Sequence, residues 1–230
     1  MDTSTSAITV AVHDGGEMRA ERSVLDPRAH TEHLAPLVAA VLAEAAVTPG
    51  EVTDVAVGVG PGPFTGLRVG IMTARTFAFA RGIPCHAVVS LDALAHAAVR
   101  DEHVPASGGF AVATDARRKE VYFARYAAAD GRAQRLSGPI VIRPGDLPAE
   151  DRELPTVGRG PVLYPEHFAH AAQPLDVGAG ALAEVALTQL ADGTVVGLDA
   201  LYLRRPDAQP SAVATAAAAS AAAARAGATS

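Results

Sequence analysis

The strongest structural signal in this chain is the run Gly58-Val59-Gly60-Pro61-Gly62-Pro63-Phe64-Thr65-Gly66-Leu67-Arg68-Val69-Gly70. The apolar residues 52–57 before it predict a β-strand, and residues 65–80 after the turn predict a helix. A strand that ends in a glycine-rich turn at the start of a helix is typical of α/β proteins, in which the turn presents backbone N–H groups to phosphates. No Lys-Ser or Lys-Thr follows this turn, so the run is not a P-loop.

The composition indicates a globular, acidic protein. Of the 230 residues, 49% are hydrophobic, 19% are charged and 4% are aromatic, and the formal net charge is −6. No apolar run is long enough to cross a bilayer and no signal peptide is evident, so we expect a cytoplasmic protein without a membrane partner. The single cysteine, Cys85, excludes a disulfide framework. The only basic cluster is Arg117-Arg118-Lys119, which argues against tight binding of RNA by this chain alone.

The hydrophobic pattern predicts two lobes, over residues 1–105 and 106–207, followed by a disordered Ala-rich tail over 208–230. The elements expected in the first lobe are a hairpin at 8–24, a helix from Thr31 as N-cap to about Val47, a strand at 52–59, the helix at 65–80, a strand at 85–89 and a helix at 91–99. The elements expected in the second lobe are strands at 110–114, 121–127 and 134–142, a loop at 144–155, a short strand with a glycine turn at 157–161, and a helix at 179–190.

An internal repeat supports the division into two lobes. Asp2 and Asp115 each precede, by six positions, the first apolar residue of a predicted hairpin, which is Ile8 in one case and Val121 in the other. The two hairpin turns are Asp14-Gly15 and Asp130-Gly131. We therefore expect a duplicated fold in which each lobe opens with an aspartate, a short polar loop and a hairpin, with chance repetition in a β-rich sequence as the alternative.

Five segments of the chain occur in the order known from one protein family. They are Asp2-Thr3-Ser4-Thr5, His30-Thr31-Glu32-His33-Leu34-Ala35-Pro36-Leu37, the glycine-rich run from Gly60 to Gly70, Asp115-Ala116-Arg117-Arg118-Lys119-Glu120-Val121-Tyr122, and Tyr202-Leu203-Arg204-Arg205-Pro206. In these segments, which extend over residues 2–207, the chain resembles the TsaB family, a bacterial subunit of the machinery that makes threonylcarbamoyladenosine in tRNA. The glycine-rich run is specific, whereas the other segments are individually weak. The resemblance implies an α/β fold of the actin, sugar kinase and Hsp70 (ASKHA) type, with two duplicated lobes that each contain a mixed sheet flanked by helices.

Two departures from the family pattern are visible. The family usually has Ser where this chain has Pro63, and it usually has several apolar residues before the Asp2-Thr3-Ser4-Thr5 segment, where they form a first strand. Here Met1 directly precedes that segment. We therefore expect either that the physiological start lies upstream or that the sheet of the first lobe lacks part of a central strand, which would deprive the neighbouring strands of ladder hydrogen bonds.

The resemblance also implies that catalytic groups have been lost. In the sister subunit TsaD, two histidines four positions apart bind a metal, and the corresponding positions here are Ser90 and Leu94, of which leucine cannot coordinate an ion. We therefore expect no catalytic residue, no metal and no cofactor. His86 and His96 are ten positions apart, and we interpret them as surface or core residues.

Two other groups of residues have weaker functional interpretations. His30 and His33 would need two further ligands or waters to hold zinc, so we favour a helix start with a polar or interface face. In this fold class nucleotide phosphates lie between the lobes, near loops such as those at Asp2 and Asp115, and Gly158-Arg159-Gly160 is weakly similar to an adenosine-site turn. A lone Gly-x-Gly is poor evidence, so we favour no nucleotide binding by this chain alone.

The two helices predicted at 31–47 and 65–80 are apolar on more than one side, which is usual for helices that are buried on more than one side. In the second helix, small residues recur every four positions, namely Gly66, Gly70, Ala74 and Ala78. Glycine inside a helix costs about 1 kcal/mol relative to alanine, so Gly70 needs a reason. A row of this kind lets another helix approach closely. The predicted partner interface consists of Leu34, Leu37, Val38, Val41, Gly66, Gly70, Ala74 and Ala78. A second stripe, formed by Val69, Met72, Thr76 and Phe79, is expected to pack on the helix's own sheet. Packing of both faces within the chain is the alternative.

The resemblance thus implies a non-catalytic scaffold that forms a heterodimer with TsaD through these helices. It would support threonylcarbamoyl transfer to the adenosine of ANN-decoding tRNAs at the partner's site, reach tRNA only through the complex, and help to dock the ATPase TsaE. The first alternative is a stand-alone ATP-binding phosphotransferase or peptidase of the same fold. A homodimer through the same helices, in the absence of the partner, is the second. Replacement of Gly70 by leucine is expected to block pairing and to leave the monomer folded.

Overall fold

In each lobe a β-hairpin follows an aspartate, Asp2 or Asp115, as the internal repeat predicts. The second lobe differs from the expectation in that a strand, Gly108–Asp115, comes before its hairpin. The computed structural model describes residues 1–26 and 29–204. The tail predicted to be disordered, 208–230, lies outside the described residues, as do Arg205 and Pro206. Where the structure is described, it holds no helix that is long and apolar enough to span a membrane.

The described part of the first lobe alternates strands and helices after its hairpin. Its elements are β1 (Ala7–His13), β2 (Met18–Leu25), α1 (His30–Glu44), β3 (Val55–Gly58), α2 (Phe64–Arg81), β4 (Cys85–Val88) and α3 (Ser90–Arg100). β1 and β2 pair antiparallel, β3 and β4 pair in parallel, and the two pairs form separate sheets. Met1 and Asp2 lie between these sheets, because Asp2 exchanges two backbone hydrogen bonds of 3.0 Å with Thr9 and the N–H of Gly58 donates to the carbonyl oxygen of Met1 at 3.1 Å.

The second lobe is built on one five-stranded sheet with the order β7-β6-β5-β8-β9. Its elements are β5 (Gly108–Asp115), β6 (Val121–Ala129), β7 (Arg132–Ile142), α4 (Ala149–Arg152), β8 (Pro155–Val157), α5 (Gly160–Leu163), β9 (His170–Ala172) and α6 (Ala179–Asp192). β5 pairs antiparallel with β6 and parallel with β8. The hairpin turn between β6 and β7 places Asp130 and Gly131 at φ values of 52° and 70°, a conformation that Asp and Gly tolerate better than other residues.

Several predicted boundaries are wrong. Thr31 does not cap α1, since the N-cap is Ala29 and no side chain caps this end. β3 begins at Val55 and not at residue 52, and a short 3₁₀ turn, Pro49–Glu51, lies just before residues 52–54. The carboxylate of Glu51 accepts hydrogen bonds from the N–H of Thr48 at 2.8 Å and from its hydroxyl at 2.7 Å, which fixes this turn.

α3 links the cores of the two lobes. Leu91 and Leu94 are fully buried and belong to one apolar cluster with Phe110 and Tyr126 of the second sheet. The rings of Phe110 and Tyr126 stack with centroids 5.5 Å apart, and the hydroxyl of Tyr126 donates to Asp92 on α3 at 2.8 Å. The side of α3 that carries Leu91 and Leu94 therefore faces the protein interior.

Candidate partner interface

The row of small residues on α2 faces the protein interior. Gly66, Gly70, Ala74 and Ala78 are all buried within this chain. A Cβ atom added to Gly70 would overlap Oγ1 of Thr3, and one added to Gly66 would lie 2.5 Å from the carbonyl oxygen of Thr3. The hydroxyl of Thr3 also donates to the carbonyl oxygen of Gly66 at 2.7 Å. Ala74 and Ala78 belong to an apolar cluster with Val57 of β3. The expectation that these four residues form an uncovered face is therefore wrong, because the same chain covers all of them.

The same segment explains two further glycines of the run. A Cβ atom on Gly58 would overlap the carboxylate of Asp2, and one on Gly62 would overlap the carbonyl oxygen of Ser4. Glycines at positions 58, 62, 66 and 70 thus all lie against residues 2–4. Close approach of the N-terminal segment, rather than of a phosphate, accounts for the glycine-rich run in this structure.

α1 is likewise turned opposite to the prediction. Its bulky residues pack on the β1–β2 hairpin, with Leu34, Leu37 and Val41 buried and Val38 half-buried. Its outer face carries the small residues Ala35, Ala39 and Ala43, which are exposed and spaced four positions apart. The four predicted interface positions on this helix are therefore core positions, and a close-approach surface lies on the opposite side.

Most of the stripe on α2 that was expected to pack on its own sheet is uncovered. Val69 is half-buried against the apolar cluster of α1 and the β1–β2 hairpin, but the other three residues are exposed. Met72 is 55% exposed and Phe79 is 89% exposed, with the exposed Thr76 between them. α1 and α2 are in contact with each other. The exposed side chains of α2 and the small outer face of α1 therefore belong to two neighbouring helices. Large apolar side chains on one helix face that remain in contact with water are typical of interaction sites. An uncovered apolar surface thus exists, but on the faces opposite to the predicted ones.

An aromatic cluster extends this surface at the start of α2. The rings of Phe64 and Tyr202 stack with centroids 5.1 Å apart, and the guanidinium of Arg68 lies 4.0 Å above the centroid of Phe64. Nε of Arg68 also donates to the hydroxyl of Tyr202 at 3.1 Å. The sequence could have suggested the pair Phe64 and Arg68, which lie one helical turn apart. It could not have suggested Tyr202, which lies 134 positions away from Arg68.

Ser90, the first of the two positions at which the resemblance implies metal ligands in the sister subunit, has a structural role here. The carboxylate of Asp2, which is fully buried, accepts hydrogen bonds of 2.7 Å from the N–H and the hydroxyl of Ser4. Its other oxygen accepts from the hydroxyl of Ser90 at 2.6 Å, and that hydroxyl accepts from the N–H of Gly60 at 3.1 Å. Ser90 therefore joins the N-terminal segment to the glycine-rich turn. Leu94, at the second position, is a core residue.

Most of the histidines considered above have carboxylate neighbours. The pairs are His33 with Asp26 at 3.5 Å, His86 with Asp54 at 2.8 Å, and His96 with Glu184 at 2.7 Å. The hydrogen bond from His86 lowers the pKa of Asp54, although burial acts in the opposite direction. His30 is buried, and its Nε2 atom makes no hydrogen bond within residues 1–26 and 29–204. In these same ranges no group of three His, Cys, Asp or Glu side chains could hold a metal ion.

The cleft between the two aspartate loops is narrow. Ser4, Asp115, Arg117, Arg159 and Asp176 are among its lining residues, and its cavity volume is about 10 Å³, room for roughly one water molecule. Arg159 makes two hydrogen bonds to Asp176, of 2.8 and 2.6 Å, and these raise the pKa of the guanidinium. Arg117 forms an ion pair of 3.1 Å with Asp115. Arg117 and Arg159, the two basic residues that line this cleft, are thus both paired with carboxylates.

Comparison with known proteins gives consistent matches. The family described as TsaD, tRNA N6-adenosine threonylcarbamoyltransferase, matches residues 25–171. A protein of Mycobacterium tuberculosis described as uncharacterized is 42% identical over 227 residues, which cover 94% of this chain and 95% of the relative. The tRNA threonylcarbamoyladenosine biosynthesis protein TsaB of Escherichia coli is 35% identical over 126 residues, which cover 55% of this chain and 53% of TsaB. The chain thus matches about half the length of this named relative.

A solved structure, that of YeaZ from Pseudomonas aeruginosa, superposes on this chain with a TM-score of 0.74 and 30% sequence identity. The superposition covers 89% of this chain and 97% of YeaZ. Together with the family match, it confirms the predicted α/β fold of the actin, sugar kinase and Hsp70 type.

Proposed function

The chain belongs to the TsaB/YeaZ family, and from this premise we propose that it acts in tRNA threonylcarbamoyladenosine biosynthesis as a non-catalytic subunit that pairs with TsaD. The observation that carries the proposal is the uncovered apolar stripe on α2, Met72 and Phe79, on the helix that contacts α1. The small outer face of α1 allows close approach by a partner helix, and the large side chains of α2 supply apolar area to bury.

The non-catalytic part of the proposal rests on what has replaced the metal ligands. Ser90 is held by Asp2 and Gly60, and Leu94 lies in the core shared by both lobes. Neither side chain is free to contact a substrate. The chain therefore contributes a surface, and threonylcarbamoyl transfer to the tRNA adenosine takes place at the partner's site.

The charge of the chain also supports a role in which the partner, and not this chain, contacts tRNA. With a net charge of −6 and one basic cluster at Arg117-Arg118-Lys119, it has little attraction for the tRNA backbone. We infer that tRNA is reached through the complex, that the ATPase TsaE docks on the assembled pair, and that the complex works in the cytoplasm.

Binding of purified TsaD to single variants tests the proposed interface. Phe79→Glu and Met72→Glu should each weaken the affinity at least about 10-fold, which corresponds to about 1.4 kcal/mol. Both variants should keep the Tm and the circular dichroism of the parent, because the altered side chains are exposed. Leu163→Glu is the matched control, since Leu163 is 46% exposed on α5 in the second lobe. Unchanged affinity of both α2 variants would refute this interface.

The alternatives are separated by two further measurements on the isolated chain. Calorimetry with ATP and Mg²⁺ should give no binding signal, whereas tight binding would favour a stand-alone phosphotransferase. Light scattering should give a monomer mass for Phe79→Glu. If the parent is a dimer and this variant is not, the same surface also serves a homodimer when TsaD is absent.

A further inference from the structure

The exposed face of α2 alternates positive charge with large apolar side chains. Arg68, Met72, Arg75 and Phe79 are all exposed, and their spacings of four, three and four positions place them on one line along the helix. We call these four residues the alternating line. α2 contains no Asp or Glu, and its remaining arginine, Arg81, donates to a backbone carbonyl oxygen of the loop before β3. The alternating line is therefore a positively charged and apolar surface on a chain whose net charge is −6.

The side chain of Arg68 is held in a fixed orientation. Its guanidinium lies 4.0 Å above the ring centroid of Phe64, and its Nε donates to the hydroxyl of Tyr202 at 3.1 Å. The hydrogen bond to Tyr202 uses one N–H group and leaves the two terminal amino groups of the guanidinium for a partner. A planar guanidinium that is already positioned loses less conformational entropy on binding, which favours a strong contact at this residue.

The two arginines of the alternating line differ from many others in the chain. Arg22, Arg100 and Arg159 each lie 2.6–2.9 Å from a carboxylate oxygen of the same chain. Within residues 1–26 and 29–204, neither Arg68 nor Arg75 forms an ion pair. Their charges are therefore available to carboxylates on another molecule, and such complementarity is what gives an interface its specificity.

We propose that the alternating line receives a helix of the partner that carries two carboxylates seven positions apart, with large apolar residues between them. Seven positions on a helix correspond to about 10 Å, which is also the rise from Arg68 to Arg75 along α2. Each carboxylate then meets one arginine, while the apolar residues of the partner helix cover Met72 and Phe79. This assignment rests on the proposed function, to which it adds the chemistry of the helix that the partner contributes.

A second copy of this chain does not supply that pattern of charge. Its own α2 would bring arginine against arginine, and such like-charge contacts oppose association. Its α1 offers Glu32 and Glu44, which are twelve positions or about 18 Å apart, so they do not match the two arginines. Glu44 is also already paired with Arg22 at 2.7 Å.

A nucleic acid fits the alternating line less well than a protein helix does. A phosphate backbone would supply negative charge, but it has no apolar area with which to cover large side chains. Met72 is 55% exposed and Phe79 is 89% exposed, and both lie between or beside the arginines. The combination of charge and apolar area therefore favours an acidic amphipathic helix.

Charge reversal on the full chain, with affinity for purified TsaD as the readout, tests the assignment. Arg68→Glu and Arg75→Glu should each weaken binding at least about 10-fold in about 50 mM NaCl, and the loss should shrink in about 500 mM NaCl because salt screens the ion pairs. Arg68→Gln should lie between the parent and Arg68→Glu. Arg132→Glu is the matched control, since it makes the same change in net charge at an exposed arginine of β7, in the second lobe. Its affinity should stay within about 2-fold of the parent.

A charge exchange then locates the carboxylates on the partner. Amide hydrogen exchange of TsaD, with and without this chain, identifies the helix that becomes protected on binding. Each Asp and Glu of that helix is replaced by Lys, one at a time. One replacement should restore binding to Arg68→Glu, and another, seven positions away, should restore binding to Arg75→Glu.

The outcomes separate this assignment from the proposed function. Full affinity of both arginine variants, together with weak binding of Phe79→Glu, would reject the acidic helix and keep the interface. Full affinity of all three variants would reject the interface as well. A dimer of the parent chain that is lost in Arg68→Glu would assign the alternating line to a second copy. Binding of unmodified tRNA to the isolated chain, lost in both arginine variants, would assign it to nucleic acid.

Discussion

Replacement of Gly70 by alanine tests whether the small row of α2 is an internal packing surface. In an exposed helix the change would stabilise by about 1 kcal/mol, because alanine has the higher helix propensity. Here the added Cβ meets Oγ1 of Thr3, and the hydroxyl of Thr3 is held by its hydrogen bond to the carbonyl oxygen of Gly66. Overpacking of a core costs about 1–3 kcal/mol, and loss of a buried hydrogen bond costs about 1–3 kcal/mol. We therefore expect a net loss of about 1–5 kcal/mol in the free energy of unfolding, after the gain in helix propensity is subtracted from the two costs.

Urea denaturation of Gly70→Ala, Thr3→Ala and the double variant measures this contact. The double variant should be more stable than the sum of the single effects predicts, by about 1 kcal/mol or more, because Thr3→Ala removes the overlapping hydroxyl. Thr76→Ala on the exposed face of α2 is the control, with a change within about 0.5 kcal/mol. A Gly70→Ala protein as stable as the parent, with additive effects, would refute the inward orientation of the row. On the same reasoning, Gly70→Leu should unfold the monomer, contrary to the expectation drawn from sequence.

Three further predictions concern buried or partly buried side chains. Partial burial raises the pKa of the Cys85 thiol, so an aromatic disulfide reagent at neutral pH should react at least about 10-fold faster with the urea-unfolded chain than with the native one. Burial raises the pKa of Asp92, opposed by the charge of Arg135 and by the hydrogen bond from Tyr126. The stabilising contribution of Asp92 is present below the ordinary carboxyl pKa and is lost as pH rises through the raised value, so Asp92→Asn should flatten that part of the pH dependence of unfolding. Ser90→His combined with Leu94→His should lower Tm by about 10 °C or more without a response to Zn²⁺, because both positions are fully buried; a zinc-dependent rise in Tm would contradict their structural role.

Local signals were sufficient for most of the fold. The alternation of apolar residues predicted both hairpins, and the turn Asp130-Gly131 supplied the connection of the second one. The two long helices of the first lobe were found within three residues of their true ends. β9 was missed, because its sequence, His-Ala-Ala, has no strand propensity and its pairing with β8 is a tertiary effect.

The orientation of α2 could not be predicted because a row of small residues has two physical explanations that look the same in sequence. Such a row shows that something approaches closely, but not whether that neighbour belongs to the same molecule. An internal neighbour is present in every folded copy and can stabilise the fold enough to offset the cost of glycine, whereas a partner does so only when bound. The inward assignment therefore fits Gly66 and Gly70, which lie against Thr3. Exposure of Phe79 has no such internal explanation, since 89% of it remains in contact with water. The proposed partner surface is therefore placed at the large exposed side chain of Phe79 and not at the small row.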